Sequence, residues 1–195
     1  MASYYLKFHG FVLILLIVFP YFIKCKCPNI VSRSQWGARS ALSQRYLKFN
    51  PPPYIVIHHS AGPECRTDST CKSTVKSIQD YHISSKGFKD IGYNFLVGDD
   101  GNVYEGRGWG IHGAHVPAYN ARSIGICFLG NFQRSSPSEK QLETVQNLVS
   151  CGVELGKISP QYKLIGHRQG KSTECPGQTL FDIIKKWPHF EPNPN

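Results

Sequence analysis

The chain has 195 residues and a formal charge of +9, a length that suits one domain with its own core once a targeting segment is removed. A basic surface attracts nucleic acid, an acidic membrane or an anionic polymer, and equally serves to keep a protein soluble. No zinc-finger, helix-turn-helix or RNA-recognition signature accompanies the charge, and the absence of internal repeats or low-complexity tracts leaves a single globular unit as the expectation.

Residues 11–23 read FVLILLIVFPYFI, with Lys7 before them and Lys24 after. This is the basic region and apolar core of a secretory signal peptide. It is short for a membrane span, which needs about 20 apolar residues. Residues 1–25 are therefore expected to be removed. Loss of Lys7 and Lys24 takes the charge from +9 to +7, and no later stretch is apolar enough to cross a bilayer. A secreted, extracellular protein matures in an oxidising compartment where disulfides persist, and it has little occasion to meet nucleic acid.

Residues 26–53 form an irregular N-terminal segment with Trp36-Gly37-Ala38, ending in Pro51-Pro52-Pro53 and packed on the domain body, residues 54–190. Tyr54 to His58 is a continuous apolar run rich in β-branched residues, hence a buried strand. From Asp68 to Ser85, Cys71, Val75, Ile78 and His82 recur at helical spacing, with Gly87 just past the end. Tyr93–Val97 and Val103–Glu105 flank a turn cluster at Asp99-Asp100-Gly101-Asn102 and make a hairpin. Ser123–Leu129 is a second core strand. Ser136-Pro137-Ser138-Glu139 reads as a capping box with proline at the first helical position, opening a helix with Leu142, Val145, Val149 and Val153 on its apolar face. Tyr162–Ile165 is a short strand that delivers His167. Leu180, Ile183, Ile184 and Trp187 give a last helix before a tail, residues 191–195. Strands alternate with helices, so the expected fold is a single α/β domain with a central mixed sheet flanked by helices.

Seven cysteines are an odd number, so at least one is unpaired within a monomer. Cys65 and Cys71 are the easiest pair to close. Cys27 pairs with Cys151, pinning an otherwise loose end to a helix. Cys127 sits in an apolar run as a small buried hydrophobe, and Cys25 leaves with the signal peptide. The assignment is consistent but not unique.

The chemistry concentrates in two places. His58 and His59 are adjacent in a strand and point to opposite faces, so only one of them joins a given site. A lone buried strand histidine is more often a hydrogen-bonded core residue. Here His167 and Cys175 follow another strand, separated by seven residues that are able to loop back. Two imidazoles and a thiolate make a three-ligand set for zinc that leaves the fourth position to water, the arrangement of a hydrolytic rather than a structural site. The alternative for Cys175 is a third disulfide, with Cys127 or Cys25.

Several separated motifs in one order give the chain a family resemblance from about Cys27 to Phe190. Trp36-Gly-Ala, Ile57-His-His-Ser, Asp90-Ile-Gly-Tyr-Asn-Phe95, Tyr104-Glu-Gly-Arg-Gly-Trp109, Gly113-Ala-His115, Gly166-His167-Arg168, Thr173-Glu-Cys-Pro-Gly177 and Trp187-Pro-His-Phe190 resemble the peptidoglycan recognition proteins, relatives of the phage-type N-acetylmuramoyl-L-alanine amidases. That family holds both zinc amidases and non-catalytic receptors, and the receptors typically replace the cysteine ligand. The resemblance implies Zn2+ on His58, His167 and Cys175, supporting catalytic roles for Tyr93 and Thr173, and substrate contacts from His59, His82, His115 and Asn120. Arg107 matches an arginine that favours meso-diaminopimelate stem peptides by pairing with their extra carboxylate. Gly87-Phe88 keeps the glycine of the family's Gly-Trp pair but changes the aromatic.

Each role has a plainer counterpart. Tyr93 is otherwise a core tyrosine, Thr173 a loop hydrogen bond, His82 a packing residue and Arg107 a solvated cation. His112 has no matching role and is expected at the surface. No Asp or Glu general base stands out, and Glu174 is free to point away. The implied activity is hydrolysis of the bond between muramic acid and L-alanine by a secreted monomer acting in innate immunity. The alternatives are a receptor that binds peptidoglycan without cleaving it, and a binding module with a purely structural zinc.

Overall fold

The computed structural model describes residues 27–194. The expectations for residues 1–25, including Cys25, lie outside the described residues.

Ten elements follow in order: β1 (Ile30–Val31), β2 (Tyr54–His59), α1 (Asp68–Ser84), β3 (Phe95–Val97), β4 (Val103–Glu105), β5 (Ser123–Phe128), α2 (Glu139–Glu154), β6 (Lys163–Gly166), α3 (His167–Gly170) and α4 (Gln178–Ile184). Six strands make one sheet in the order β1-β4-β3-β5-β2-β6. Only β3 and β4 run antiparallel; the other neighbours are parallel. This is the expected single α/β domain with a mixed sheet. β2 and β5, adjacent strands inside the sheet, are buried at every position, as parallel strands covered on both faces must be.

The two faces pack differently. Ile55, Ile57, Phe95, Val97, Ile124, Ile126 and Phe128 meet Val145, Leu148 and Val149 of α2 and Leu180 and Ile184 of α4. On the other face Leu96, Tyr104 and Cys127 pack with Cys71 and Val75 of α1 and with Trp36. Beside them Tyr54, Val56 and Ile165 meet Val116 and Tyr119. Helix α1 begins at a reciprocal cap between Thr67 and Thr70, and Gly87 beyond it takes φ +69°, a conformation glycine reaches without strain.

Some boundaries differ from the sequence reading. The N-cap of α2 is Ser138, not Ser136: its Oγ accepts from the Gln141 N–H at 3.1 Å. Ser138 is drawn in because its hydroxyl also donates to Asp99. Gln141 then spends its amide on the sheet, donating to Val97 O (2.8 Å) and Leu129 O (3.3 Å), so the buried face of α2 runs through Gln141, Thr144, Val145, Leu148, Val149, Cys151 and Gly152, while Leu142 and Val153 are only partly covered. Tyr93 lies outside β3. Asn94, fully buried, donates to Gly108 O and Ile111 O and accepts from Gly125 N, and this cross-loop hub delays the strand to Phe95. The last helix stops at Ile184, short of Trp187.

The segment before β2 is bound to the body. Trp36, 3% exposed, donates Nε1–H to Glu105 O at 2.9 Å. Arg33 pairs with buried Asp90 at 3.0 Å. Cys27 and Cys151 form one disulfide and Cys65 and Cys71 another; Cys127 and Cys175 are free thiols. The bridges close loops of very different length, 124 and 6 residues in sequence separation. On loop-closure entropy alone these correspond to roughly 5 and roughly 2 kcal/mol. The paired substitution Cys27→Ser/Cys151→Ser is therefore expected to lower the urea midpoint by more than Cys65→Ser/Cys71→Ser does. Equal midpoints would show that the N-terminal segment is held by its other contacts.

Candidate metal centre and groove

His58 is the penultimate residue of β2, and His167 directly follows β6, the strand beside it. The carboxyl ends of neighbouring parallel strands are where open α/β sheets gather ligand-binding residues. The pairing Ile57↔Gly166 makes the next residues, His58 and His167, spatial neighbours. Their Nδ1 atoms are 3.1 Å apart. Cys175 returns to them because Arg168 folds the intervening loop: its N–H donates to Cys175 O at 2.9 Å and its Nη2 to Glu174 O at 2.5 Å. The thiol lies 3.8 Å from His58 Nδ1 and accepts the His59 N–H at 3.4 Å.

The three donor atoms lie within 4.8 Å of one another. Tetrahedral zinc with Zn–N near 2.0–2.1 Å and Zn–S near 2.3 Å sets N···N at about 3.3 Å and N···S at about 3.6 Å; two of the three edges are close to this, at 3.1 and 3.8 Å, and the His167–Cys175 edge lies within 4.8 Å. The donor types fit as well. Burial, reinforced by His115 and His167, holds His58 well below its ordinary pKa. Burial and then Lys171 bring His167 to about 4. Both rings are thus neutral at physiological pH, as ligands must be. Burial pushes the Cys175 thiol up to about 12, so a coordinated cation has to draw off its proton.

The remaining residues singled out from sequence separate by position. Tyr93 belongs to the centre: its ring is 5.1 Å from that of His58 and 5.5 Å from that of His82. Burial and the neighbouring Cys127 thiol raise its pKa well above 10, so the phenol is a proton donor in hydrogen bonds and never a base. His59 turns to the opposite face, where Nδ1 accepts from Phe132 N at 3.2 Å. Thr173 is exposed, and its Oγ1 accepts from Cys175 N at 3.3 Å. Glu174 is also exposed.

A pocket of about 270 Å³, whose wall includes Arg45, Gly87, Phe88, Lys89, Arg107 and Asn120, is lined by none of the three donor residues and comes toward them at Ala114, next to His115 in the chain. Arg107 is fixed there by two backbone carbonyls, Nε to Ile91 O and Nη1 to His112 O, both at 2.7 Å. Two of five guanidinium N–H donors are spent, which leaves three for a ligand. His82 Nδ1 accepts from Gly92 N at 2.9 Å, and its ring is 5.3 Å from Phe88. Asn120 Oδ1 accepts from the N–H groups of His115 and Val116, both at 2.8 Å, and so shapes the loop as well as lining the pocket. His112, expected at the surface, is half-buried because its carbonyl holds Arg107. The family resemblance implies only a substrate contact for His115, yet it is 9% exposed with Nδ1 3.0 Å from His58 Nε2. No spacing signal in the sequence announces either contact.

Residues 48–178 match the family model described as N-acetylmuramoyl-L-alanine amidase. The peptidoglycan-recognition protein SC2 of Drosophila melanogaster is 48% identical over 163 residues, 84% of this chain and 88% of that protein. A mutant of Drosophila PGRP-LB in complex with tracheal cytotoxin superposes with a TM-score of 0.82 at 43% identity, covering 83% of this chain and 96% of that one. Human PGRP-IβC in complex with glycosamyl muramyl pentapeptide gives 0.81 at 42% identity, covering 85% and 99%.

The buried imidazoles give the metal-free protein a defined acid sensitivity. Burial leads the lowering to about 4 for His59, His82 and His167 and to about 3 for His115. All titrate near 6.5 when unfolded. Below pH ~6.5 the unfolded chain binds protons that the folded chain refuses, so stability falls as pH drops, each group contributing up to about 1.4 kcal/mol per pH unit until its folded value is reached. Urea midpoints of chelator-treated protein are expected to fall steadily from pH 6.5 to 4.5. A flat profile over that range would mean that these rings are not buried in the neutral form.

Proposed function

The chain belongs to the N-acetylmuramoyl-L-alanine amidase family and, within it, to the peptidoglycan recognition proteins, and we propose that it is a secreted zinc amidase that cleaves peptidoglycan between muramic acid and L-alanine in innate immunity. The observation that carries this is the convergence of His58, His167 and Cys175, whose donor atoms lie within 4.8 Å of one another. The signal-peptide pattern of residues 1–25 supports secretion, and the ligand complexes of two solved relatives support peptidoglycan as the partner. Among the described residues no helix is long and apolar enough to cross a membrane.

His58, His167 and Cys175 would hold the zinc. Bound there, zinc supplies Lewis-acid polarisation of the scissile carbonyl and lowers the pKa of water from 15.7 to about 7. The protein's own groups do the rest. Tyr93, kept protonated by burial, offers a hydrogen bond to the oxygen on which negative charge develops. Thr173 holds the backbone of Cys175 and thereby the loop that presents the thiolate. Arg107, with three donors still available, pairs with the extra carboxylate of a meso-diaminopimelate stem, and Phe88 and Gly87 line the same pocket. His82 and Asn120 flank the stem peptide in this reading, while His59 is held on the opposite face of β2 by the Phe132 N–H. The protein acts as a monomer. A second reading, recognition without significant turnover, draws on Thr173, which is engaged only in a loop hydrogen bond.

Cys175→Ser tests the zinc assignment. The variant is expected to lose chelator-sensitive release of stem peptide while still binding peptidoglycan; full activity with full zinc occupancy would overturn it. Arg107→Ala tests selectivity. A charge-assisted hydrogen bond contributes about 1.5–3 kcal/mol, or roughly ten- to a hundred-fold in affinity, and solvent in the open groove pushes the effect to the lower end. The loss is expected for diaminopimelate stems and not for lysine stems. Equal weakening of both would make Arg107 a structural residue.

A further inference from the structure

The histidine cluster has a direction that can be read from one hydroxyl. Ser123 is fully buried at the start of β5 and donates its single hydroxyl proton to Tyr119 O at 2.8 Å. Toward His115 Nε2, 3.5 Å away, it therefore has only lone pairs to offer, and the proton of the neutral His115 ring sits on Nε2. His115 Nδ1 is then an acceptor. It faces His58 Nε2 at 3.0 Å, so the His58 proton sits on Nε2 and points at His115. That leaves the His58 Nδ1 lone pair facing His167 Nδ1 and Cys175 Sγ, the orientation a metal ligand requires.

The chain builds a seat for this arrangement. A Cβ at Gly125 would come within 2.6 Å of the His115 ring, and one at Gly113 within 2.3 Å. Glycine at both positions leaves that space to the ring. Asn120 fixes the His115 backbone from the other side.

We propose that His115 is a positioning residue that holds the metal ligand His58 in its ligating tautomer, with Ser123 setting the polarity of the pair. This rests on the zinc reading above. A ligating histidine that donates its second N–H to a fixed acceptor is oriented by it and made more basic, and loss of such a partner typically lowers metal affinity about 10–100-fold.

The test is zinc affinity without substrate, measured by competition with a chromophoric chelator, in wild type, His115→Phe, His115→Gln and Ser123→Ala. Thermal unfolding of the metal-free forms reports on folding. His115→Phe is expected to bind zinc about 10–100-fold more weakly. His115→Gln, whose amide oxygen still accepts from His58, recovers most of that loss, and Ser123→Ala falls between wild type and His115→Phe. If His115→Phe does not fold, the His115→Gln and Ser123→Ala pair decides: near-wild-type affinity in the first with weakened affinity in the second supports the relay. Unchanged zinc affinity in both His115→Phe and Ser123→Ala, or equal loss in His115→Gln and His115→Phe, overturns it. So does a variant that loses peptidoglycan binding with zinc affinity intact, since that is the signature of a substrate contact. A wild type that binds no zinc overturns the proposed function itself, whereas a zinc-binding wild type with indifferent variants overturns only this assignment.

Discussion

The parallel register between β2 and β6 is the constraint on which the site depends. With Ile57 opposite Gly166, the pairing of the two strands ends at one level, and the next residue is a histidine on each side: His58, still within β2, and His167, just past β6. A slip of one residue in β2 would exchange faces. His59 would then enter the cluster, and His58 would turn toward the Phe132 side. The register is held because Ile55 and Ile57 point into the α2–α4 core while Val56 packs with Tyr119 and Ile165, so a slip would misplace every apolar side chain of a fully buried strand.

A second set of constraints is polar and holds the loops around the groove. Asp90, 1% exposed, meets Arg33 at 3.0 Å and accepts from Gln79 Nε2 at 2.7 Å. Gln79, fully buried on α1, also accepts from Arg39 N and donates to Arg39 O. Arg33 Nη1 reaches Gly106 O at 2.5 Å, directly before Arg107. One network thus ties the N-terminal segment, α1 and the Arg107 loop together. Truncating one partner would leave a buried charge or amide unpaired, which costs more than the hydrogen bond itself contributes. Arg107 is in turn held by the Ile91 and His112 carbonyls, so its guanidinium has a fixed place in the pocket wall.

Much of this is legible in the sequence. Alternation of apolar runs with helical spacings points to the mixed α/β sheet, and the opposite-face argument separates His58 from His59 without any knowledge of their contacts. Cys65–Cys71 follows from loop length. What is not legible depends on groups that meet only across loops. Asn94 reads as one polar residue in a motif, yet it links three backbone segments and sets the start of β3. Arg168 reads as part of Gly-His-Arg, yet it is the latch that brings Cys175 back to the histidines. The cap of α2 lies at Ser138 rather than Ser136, where the hydroxyl that accepts the Gln141 N–H also donates to Asp99, 39 residues away. His115 reads as a groove residue because residue type alone says nothing of which imidazole it faces.

In the proposed function His58, His167 and Cys175 would hold the zinc ion needed for hydrolysis of the muramoyl amide bond. The most direct test of that function is mass analysis of the products formed by the purified full-length mature protein on diaminopimelate-type peptidoglycan, untreated, after chelation and after zinc is restored. The expected products are stem peptides beginning with a free L-alanine amine, lost on chelation and regained with zinc. Glycan that stays fully substituted in the presence of zinc-loaded protein, or release that chelation leaves unchanged, would contradict it.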